Sequence, residues 1–308
     1  MPLFWQQDHP IRLLPSEGAD HILVVVPQIG LPTMTAPSGI GESHPRLKTL
    51  GRLAGAAGAL RQQHSKPGCF RIQFHDDAPG EPDHTWLCMD AQSEGPAPQQ
   101  LIPDPYCLDT WGYQSLRQEF ASLPAWKSRI PLTIWRGSTT GSANIDPDSL
   151  RHLLRYRLSK ASLEFPHLLD ARFSQVCQCD DPIKIRQHLK NQDLWAPYLK
   201  PCHAALHRWI VDIDGNVNSW GLLWKLLSGS CVLRVNSSRR QWYHRDLMPW
   251  KHFVPIAADL SDLGAVLRWC RQYETDCETI ALTGQAYAQT VVEQLSVSLE
   301  RAVLATAP

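Results

Sequence analysis

Three stretches of this 308-residue chain bring together residue types that do chemistry on charged ligands. The first is Arg136-Gly137-Ser138-Thr139-Thr140-Gly141-Ser142, which offers a guanidinium, two glycines and four hydroxyls. Arginine forks onto phosphate oxygens, and glycine lets the backbone approach a ligand closely. It has no Gly-Lys-Ser/Thr and so is not a Walker loop. The second is the turn Asp214-Gly215-Asn216-Val217-Asn218, followed by Ser219, a good helix N-cap. Free amides at a helix start favour an anion, although the turn lacks a full G-x-G-x-x-G. The third is His75-Asp76-Asp77 at a strand end. A carboxylate placed there can act as a general base, and only one of two adjacent aspartates faces a cleft comfortably. Asp90 and Asp104 are rival carboxylates. Each stretch also has a plain structural reading: a polar βα loop, a well-capped helix, a solvated acidic turn.

Those residues need a scaffold, and hydrophobic patterning predicts one. Ile22 to Val26 is a continuous aliphatic run read as a buried strand, and residues 45–62 carry leucines and alanines at helical spacing. Phe70, Ile72 and Phe74 alternate with polar residues as a strand buried on one face, and Trp86 to Met89 is a further short strand. A helix is expected from Tyr113 to Leu123, a strand from Ile130 to Trp135 running into the Arg136 loop, and a helix with Leu150, Leu153, Leu154 and Leu158 on one face. Arg208 to Ile213, the Asp214 turn, a helix from Trp220 to Leu227 and a strand from Cys231 to Val235 form a βαβ unit. Residues 261–273 and 283–305 read as helices. Interleaved strands and helices predict an α/β fold, and the length fits two domains.

Composition narrows the function classes. Lys plus Arg and Asp plus Glu are each 30, so the formal charge is zero, and there is no basic stripe to bind nucleic acid. The first 20 residues have no basic patch followed by an apolar run, which argues against a secretory signal. The expected compartment is the cytoplasm, where nine cysteines without framework spacing stay reduced. Cys177 and Cys179 form half of a metal site without a matching second pair, so free thiols are expected. Asp212-Ile213-Asp214 has the letters of a metal-binding pair, but Asp212 falls within the predicted strand, whose alternation turns both carboxylates to one face.

Longer strings carry a resemblance. WRGSTTGS at 135–142, RYRLSKASLEFPHLLDARFS at 155–174, VDIDGNVNSWGLLWKLLSGSCVL at 211–233 and WYHRDLMPWKHFVPIAADLSDL at 242–263 occur in this order. Together they resemble glycosyltransferase family 90, which includes CAP10-like capsule proteins, bacterial lipopolysaccharide-modifying transferases and eukaryotic protein O-glucosyltransferases. LIPDPYCLDTWGY at 101–113 is most similar to the bacterial branch. The resemblance implies a GT-B architecture, two Rossmann-like domains facing a cleft, and an inverting transfer of a hexose or pentose from a UDP-sugar. It implies a glycan or lipid-linked glycan acceptor, such as a lipopolysaccharide precursor. That acceptor is compatible with peripheral contact at the inner membrane. No prosthetic group and no metal are expected. The alternative is an inactive nucleotide-sugar-binding or assembly protein on the same scaffold.

Residue by residue, Asp77 matches the family's base, an aspartate two residues ahead of a proline, with Asp76 the near alternative. The donor-binding matches are Arg136, Gly137, Ser138 and Thr139, together with Asp214, Gly215, Asn218, Ser219 and Trp220. Several family members carry an arginine where this chain has Gly221; Lys225, Arg136 and Arg172 are the candidates to replace it. The implied domains are 1–128 on the acceptor side with the base, 129–285 for the nucleotide sugar, and a C-terminal helix at 286–308 that packs back on the first.

Overall fold

The computed structural model describes residues 2–15, 18–76, 83–92 and 100–307. The chain divides into two compact units, the first comprising Met1–Tyr113, Ser238–Arg245 and Val291–Pro308, the second Gln114–Ser237 and Asp246–Thr290. The fold is α/β.

In unit 1 the helix α1 (Pro2–Gln6) precedes strands β1 (Arg12–Leu14), β2 (Ile22–Val26) and β3 (Thr33–Thr35), then α2 (Pro45–Gln63), β4 (Gly68–Ile72) and β5 (Trp86–Cys88). Short strands β6 (Ala91–Gln92) and β7 (Gln100–Leu101) and the helix α3 (Pro105–Asp109) follow. The sheet order is β1-β3-β2-β4-β5-β7. It is mixed, because β2 runs antiparallel to both β3 and β4. The loop from β2 to β3 is too short for a crossover, so the two form a hairpin, and α2 then carries the chain over β2 to β4. Unit 1 thus departs from the parallel Rossmann-like sheet expected of it. The aliphatic run of β2 is also less buried than expected: Ile22, Val24 and Val26 are in the core, whereas Val25 is 43% exposed.

Unit 2 opens with α4 (Gln114–Phe120), which packs on later helices of the same unit; the division therefore falls after Tyr113 and not at residue 128. Strand β8 (Ile130–Ser138), α5 (Leu154–Glu164), β9 (Leu169–Gln175), α6 (Pro182–Asn191), α7 (Pro201–Ala204), β10 (His207–Asp212), α8 (Leu222–Leu227) and β11 (Cys231–Val235) alternate. The chain then returns to unit 1 as β12 (Arg239–Arg240), which pairs with β6, before β13 (Val254–Ile256), α9 (Leu263–Gln272) and α10 (Glu274–Glu293). The last helix, α11 (Leu295–Ala305), belongs to unit 1 and packs on α2. The expected single helix at 283–305 is therefore two, parted at Gln294, and α10 begins well before residue 283.

The unit 2 sheet has the order β13-β11-β10-β8-β9 and is parallel throughout. Alternation divides its residues between two faces. Trp135, Trp209 and Leu233 join the larger core with Leu158 and Leu267, while Ile134 and Ile210 pack with Ala204, Leu199 and Trp224 on the other side. The chain leaves β8 for β9 on one side and reaches β10 on the other, so the order reverses between β8 and β10. At such a switch point the loops beyond the strand ends diverge and leave a crevice, where open α/β sheets bind ligands. Among the described residues no helix is long and apolar enough to cross a membrane.

Candidate functional site

The loops after β8 and β10 meet at this switch point, and Arg155 in the first turn of α5 ties them together. Its Nε donates to Asp214 O (2.8 Å), its Nη2 to Ile213 O (3.2 Å), and its Nη1 to Ser138 O (3.1 Å) and Thr140 Oγ1 (2.6 Å). Burial pulls the pKa of this guanidinium down to about 10, against the pull of Asp214 and Asp212, so it stays charged at neutral pH. A further link is the Gly141 amide, which donates to Asn216 Oδ1 (2.8 Å). Gly141 has a φ of +127°, in the region that favours glycine. At Gly215 a Cβ would lie 2.6 Å from Thr140 Oγ1 and 2.9 Å from Arg155 Nη2, so any side chain there must displace the Arg155 tie.

Local structure corrects the sequence reading in several places. Strand β8 continues through Ser138, because Arg136, Gly137 and Ser138 all pair with β9, and the loop proper begins at Thr139. The space a Cβ of Gly137 would take is filled by the Trp135 ring. Thr139 is fully buried and its hydroxyl is spent on the main chain of Cys177, so its side chain is not free for a ligand. Ser219 does not cap a helix: α8 starts at Leu222, and Ser219 Oγ instead donates to Asp212 Oδ1 (2.6 Å).

The cations named for the diphosphate are already paired. Arg136 Nη2 holds Asp170 Oδ2 (2.6 Å), and Arg172 bridges Asp170 and Asp193. Burial of Asp170 opposes its charge, but Arg136 and Arg172 outweigh it and keep the carboxyl below its usual range. Lys225, also buried, lies 2.6 Å from Asp212, which is 2% exposed. Asp214 accepts the Ser219 amide (3.0 Å) and the Ser237 hydroxyl; burial nevertheless raises its pKa. Asp212 and Asp214 both reach Ser219, as strand alternation implies. A side chain at Gly221 would meet Trp224 Nε1 at 2.8 Å, so an arginine there requires Trp224 to move. Trp220 is partly buried in the same turn. Asn218 is 3% exposed, and among the described residues neither atom of its carboxamide finds a hydrogen-bond partner, a cost of about 1–3 kcal/mol to the turn.

In unit 1, Asp77 lies outside the described residues. Asp76 Oδ1 accepts from Arg46 Nη2 (2.9 Å), and Arg46 also holds Phe74 O (2.8 Å), fixing the loop after β4 to the first turn of α2. The rival carboxylates are both buried and hydrogen-bonded. Asp90 is fully buried on Gln73 Nε2 (3.1 Å) and Arg239 Nη1 (2.6 Å), with burial raising its pKa against those bonds. Asp104 is 1% exposed and caps α3 through the amides of Tyr106 and Cys107, and burial pushes its carboxyl up to about 6. Gln73, whose Nε2 also donates to the carbonyls of His75 and Asp76, is a positioning residue that sequence reasoning missed. Arg155 is another; it opens the string at 155–174 and stands at the start of a helical spacing, and neither feature discloses the two loops it joins. Among the described residues no group of three or more His, Cys, Asp or Glu is placed to hold a metal ion, and all nine cysteines are free.

A family model described as Glycosyl transferase family 90 matches residues 109–299, a stretch that contains the whole unit 2 sheet and both linked loops. The chain belongs to family 90. Protein O-glucosyltransferase 3 of Homo sapiens is 31% identical over 170 residues, covering 55% of this chain and 30% of that protein. Protein O-glucosyltransferase 2 of Danio rerio is 26% identical over 172 residues, covering 54% and 30%. An uncharacterized protein, 035R of Invertebrate iridescent virus 3, is 26% identical over 187 residues, covering 58% of this chain and 16% of its own length. The chain thus spans less than a third of each of these relatives. A crystal structure of Anabaena HepE with UDP-glucose has a TM-score of 0.39 at 12% identity, covering 72% of this chain and 59% of that one.

Proposed function

We propose that this chain is a glycosyltransferase of the GT-B type that moves a hexose or pentose from a UDP-sugar to a hydroxyl of a cell-envelope glycan or lipid-linked glycan. The UDP sits on the loops after β8 and β10, with Ser138, Thr140 and Gly141 on one side and residues 214–220 on the other. The observation that carries this reading is the Arg155-tied pair of loops at the switch point, inside the stretch matched by the family model. Displacement at an anomeric carbon needs the acceptor hydroxyl deprotonated while the diphosphate departs. Asp77, with Asp76 as its neighbour, is the base of this proposal. Main-chain amides of the two loops stabilise the charge that develops on the leaving group. The reaction takes place in the cytoplasm, with the acceptor presented at the membrane surface.

A specific observation favours the second reading, a nucleotide-sugar-binding protein without turnover. Arg136, Arg172 and Lys225 are each paired to an aspartate, and Gly221 leaves no cation in the family's position. A melting-temperature screen against UDP-glucose, UDP-galactose, UDP-xylose, UDP-N-acetylglucosamine and GDP sugars tests the donor class. A ligand at 100 times its Kd stabilises by about 2.7 kcal/mol, so a UDP-sugar is expected to raise the melting temperature. Stabilisation by GDP sugars alone, or by none, overturns the reading. UDP release from the stabilising donor separates the transferase from the binding protein.

A further inference from the structure

Unit 1 holds a pocket of about 390 Å³ between the segment Ser238–Arg245 and α11. Three guanidiniums line it, Arg240, Arg245 and Arg301, and among the described residues no carboxylate does. Among the described residues none of the three takes part in an ion pair. Elsewhere in the unit Arg46, Arg52 and Arg239 each hold an aspartate, while Arg61 and Arg71 bond carbonyl and hydroxyl oxygens. Three like charges gathered in a concavity repel one another and focus a positive potential that only an anion relieves.

The rest of the wall is not built for a bare ion. The Trp242 indole is partly buried there, with Leu101 beside it. Guanidiniums bind phosphoryl and carboxylate groups in forked pairs, and an indole presents a flat apolar face to the C–H side of a sugar ring.

We propose that this pocket binds an anionic carbohydrate, a sugar carrying a phosphoryl or carboxylate group. Assigning that sugar to the acceptor rests on the transferase reading above; the binding itself does not.

Calorimetric titration of the intact chain, with UDP present at saturation, tests the proposal using glucose 6-phosphate, glucuronic acid and glucose as probes. At least one anionic sugar is expected to bind, and glucose at least about tenfold more weakly. The two anionic probes tell phosphoryl from carboxylate recognition. Arg245 and Arg301 are exposed, so Arg245→Glu and Arg301→Glu leave packing intact. Each is expected to weaken the anionic sugar about tenfold or more while UDP affinity stays within about twofold. Equal binding of glucose, no binding of either anionic sugar, or undiminished binding by both variants overturns the proposal. Loss of UDP binding with anionic-sugar binding intact would instead count against the transferase reading alone.

Discussion

Replacing Arg155 by methionine keeps most of the side-chain volume and removes every guanidinium donor that joins the two loops, leaving only the hydrogen bond from the Gly141 amide to Asn216 Oδ1 among the described links. Three main-chain carbonyls, Ser138 O, Ile213 O and Asp214 O, then lose their guanidinium partner, as does Thr140 Oγ1. Each unmet acceptor costs about 1–3 kcal/mol if water cannot reach it. The side chain is only partly buried, so water offsets some of that, and the expected loss is about 3–5 kcal/mol. Arg155→Lys keeps the charge, but one ammonium cannot span Ser138 O and Asp214 O, so roughly half that loss is expected. With its pKa near 10 the guanidinium is charged in both folded and unfolded chains from pH 5 to 9, so the loss should not vary across that range. Urea unfolding of the intact chain reads the stability, and UDP titration reads the site, where affinity should fall at least about tenfold. If both variants unfold within about 0.5 kcal/mol of the parent and bind UDP equally well, Arg155 does not hold the loops and the reasoning fails.

Gly215→Ala puts a methyl 2.6 Å from Thr140 Oγ1, so a loss of about 1–3 kcal/mol and weaker UDP binding are expected from the same two measurements. Lys225→Met strands the buried Asp212 carboxylate, and urea unfolding should show a loss of about 3–5 kcal/mol. Asp104 has a folded pKa raised to about 6 from 3.8, so its contribution is fully present below the unfolded value and is lost as pH rises through 6. Asp104→Asn keeps a cap acceptor without the charge; its stability relative to the parent should therefore rise between pH 4 and 7.5, by up to about 3 kcal/mol. A pH-independent difference would show that the Asp104 carboxyl titrates normally.

Much of unit 2 was legible because its signals are local. The βαβ run from Arg208 to Val235 combines a β-rich strand, a Gly/Asn turn and a short apolar helix, and strand, helix and strand form where those local signals put them to within two residues. What a side chain does at the end of a strand is set by its neighbour in space. Arg136 looked like a free phosphate ligand until β9 placed Asp170 beside it, a pairing that depends on register and not on spacing. Ser219 looked like a cap for the same reason: its hydroxyl had a competitor in Asp212, which α8 and Lys225 bring close. In unit 1 the aliphatic run of β2 cannot disclose its own direction, and the turn to β3 made the sheet mixed. The two loops stood out in the sequence; that Arg155 joins them did not, because the carbonyls it holds are brought together only by the fold.

A crystal structure of the chain soaked with UDP decides whether the nucleotide is held where the loops after β8 and β10 meet. Density for the diphosphate is expected within hydrogen-bond distance of main-chain amides in residues 139–142 and 215–220, with Arg155 still bridging the two loops. Density for UDP elsewhere on the chain, or none there at a concentration that saturates binding in solution, would contradict that placement.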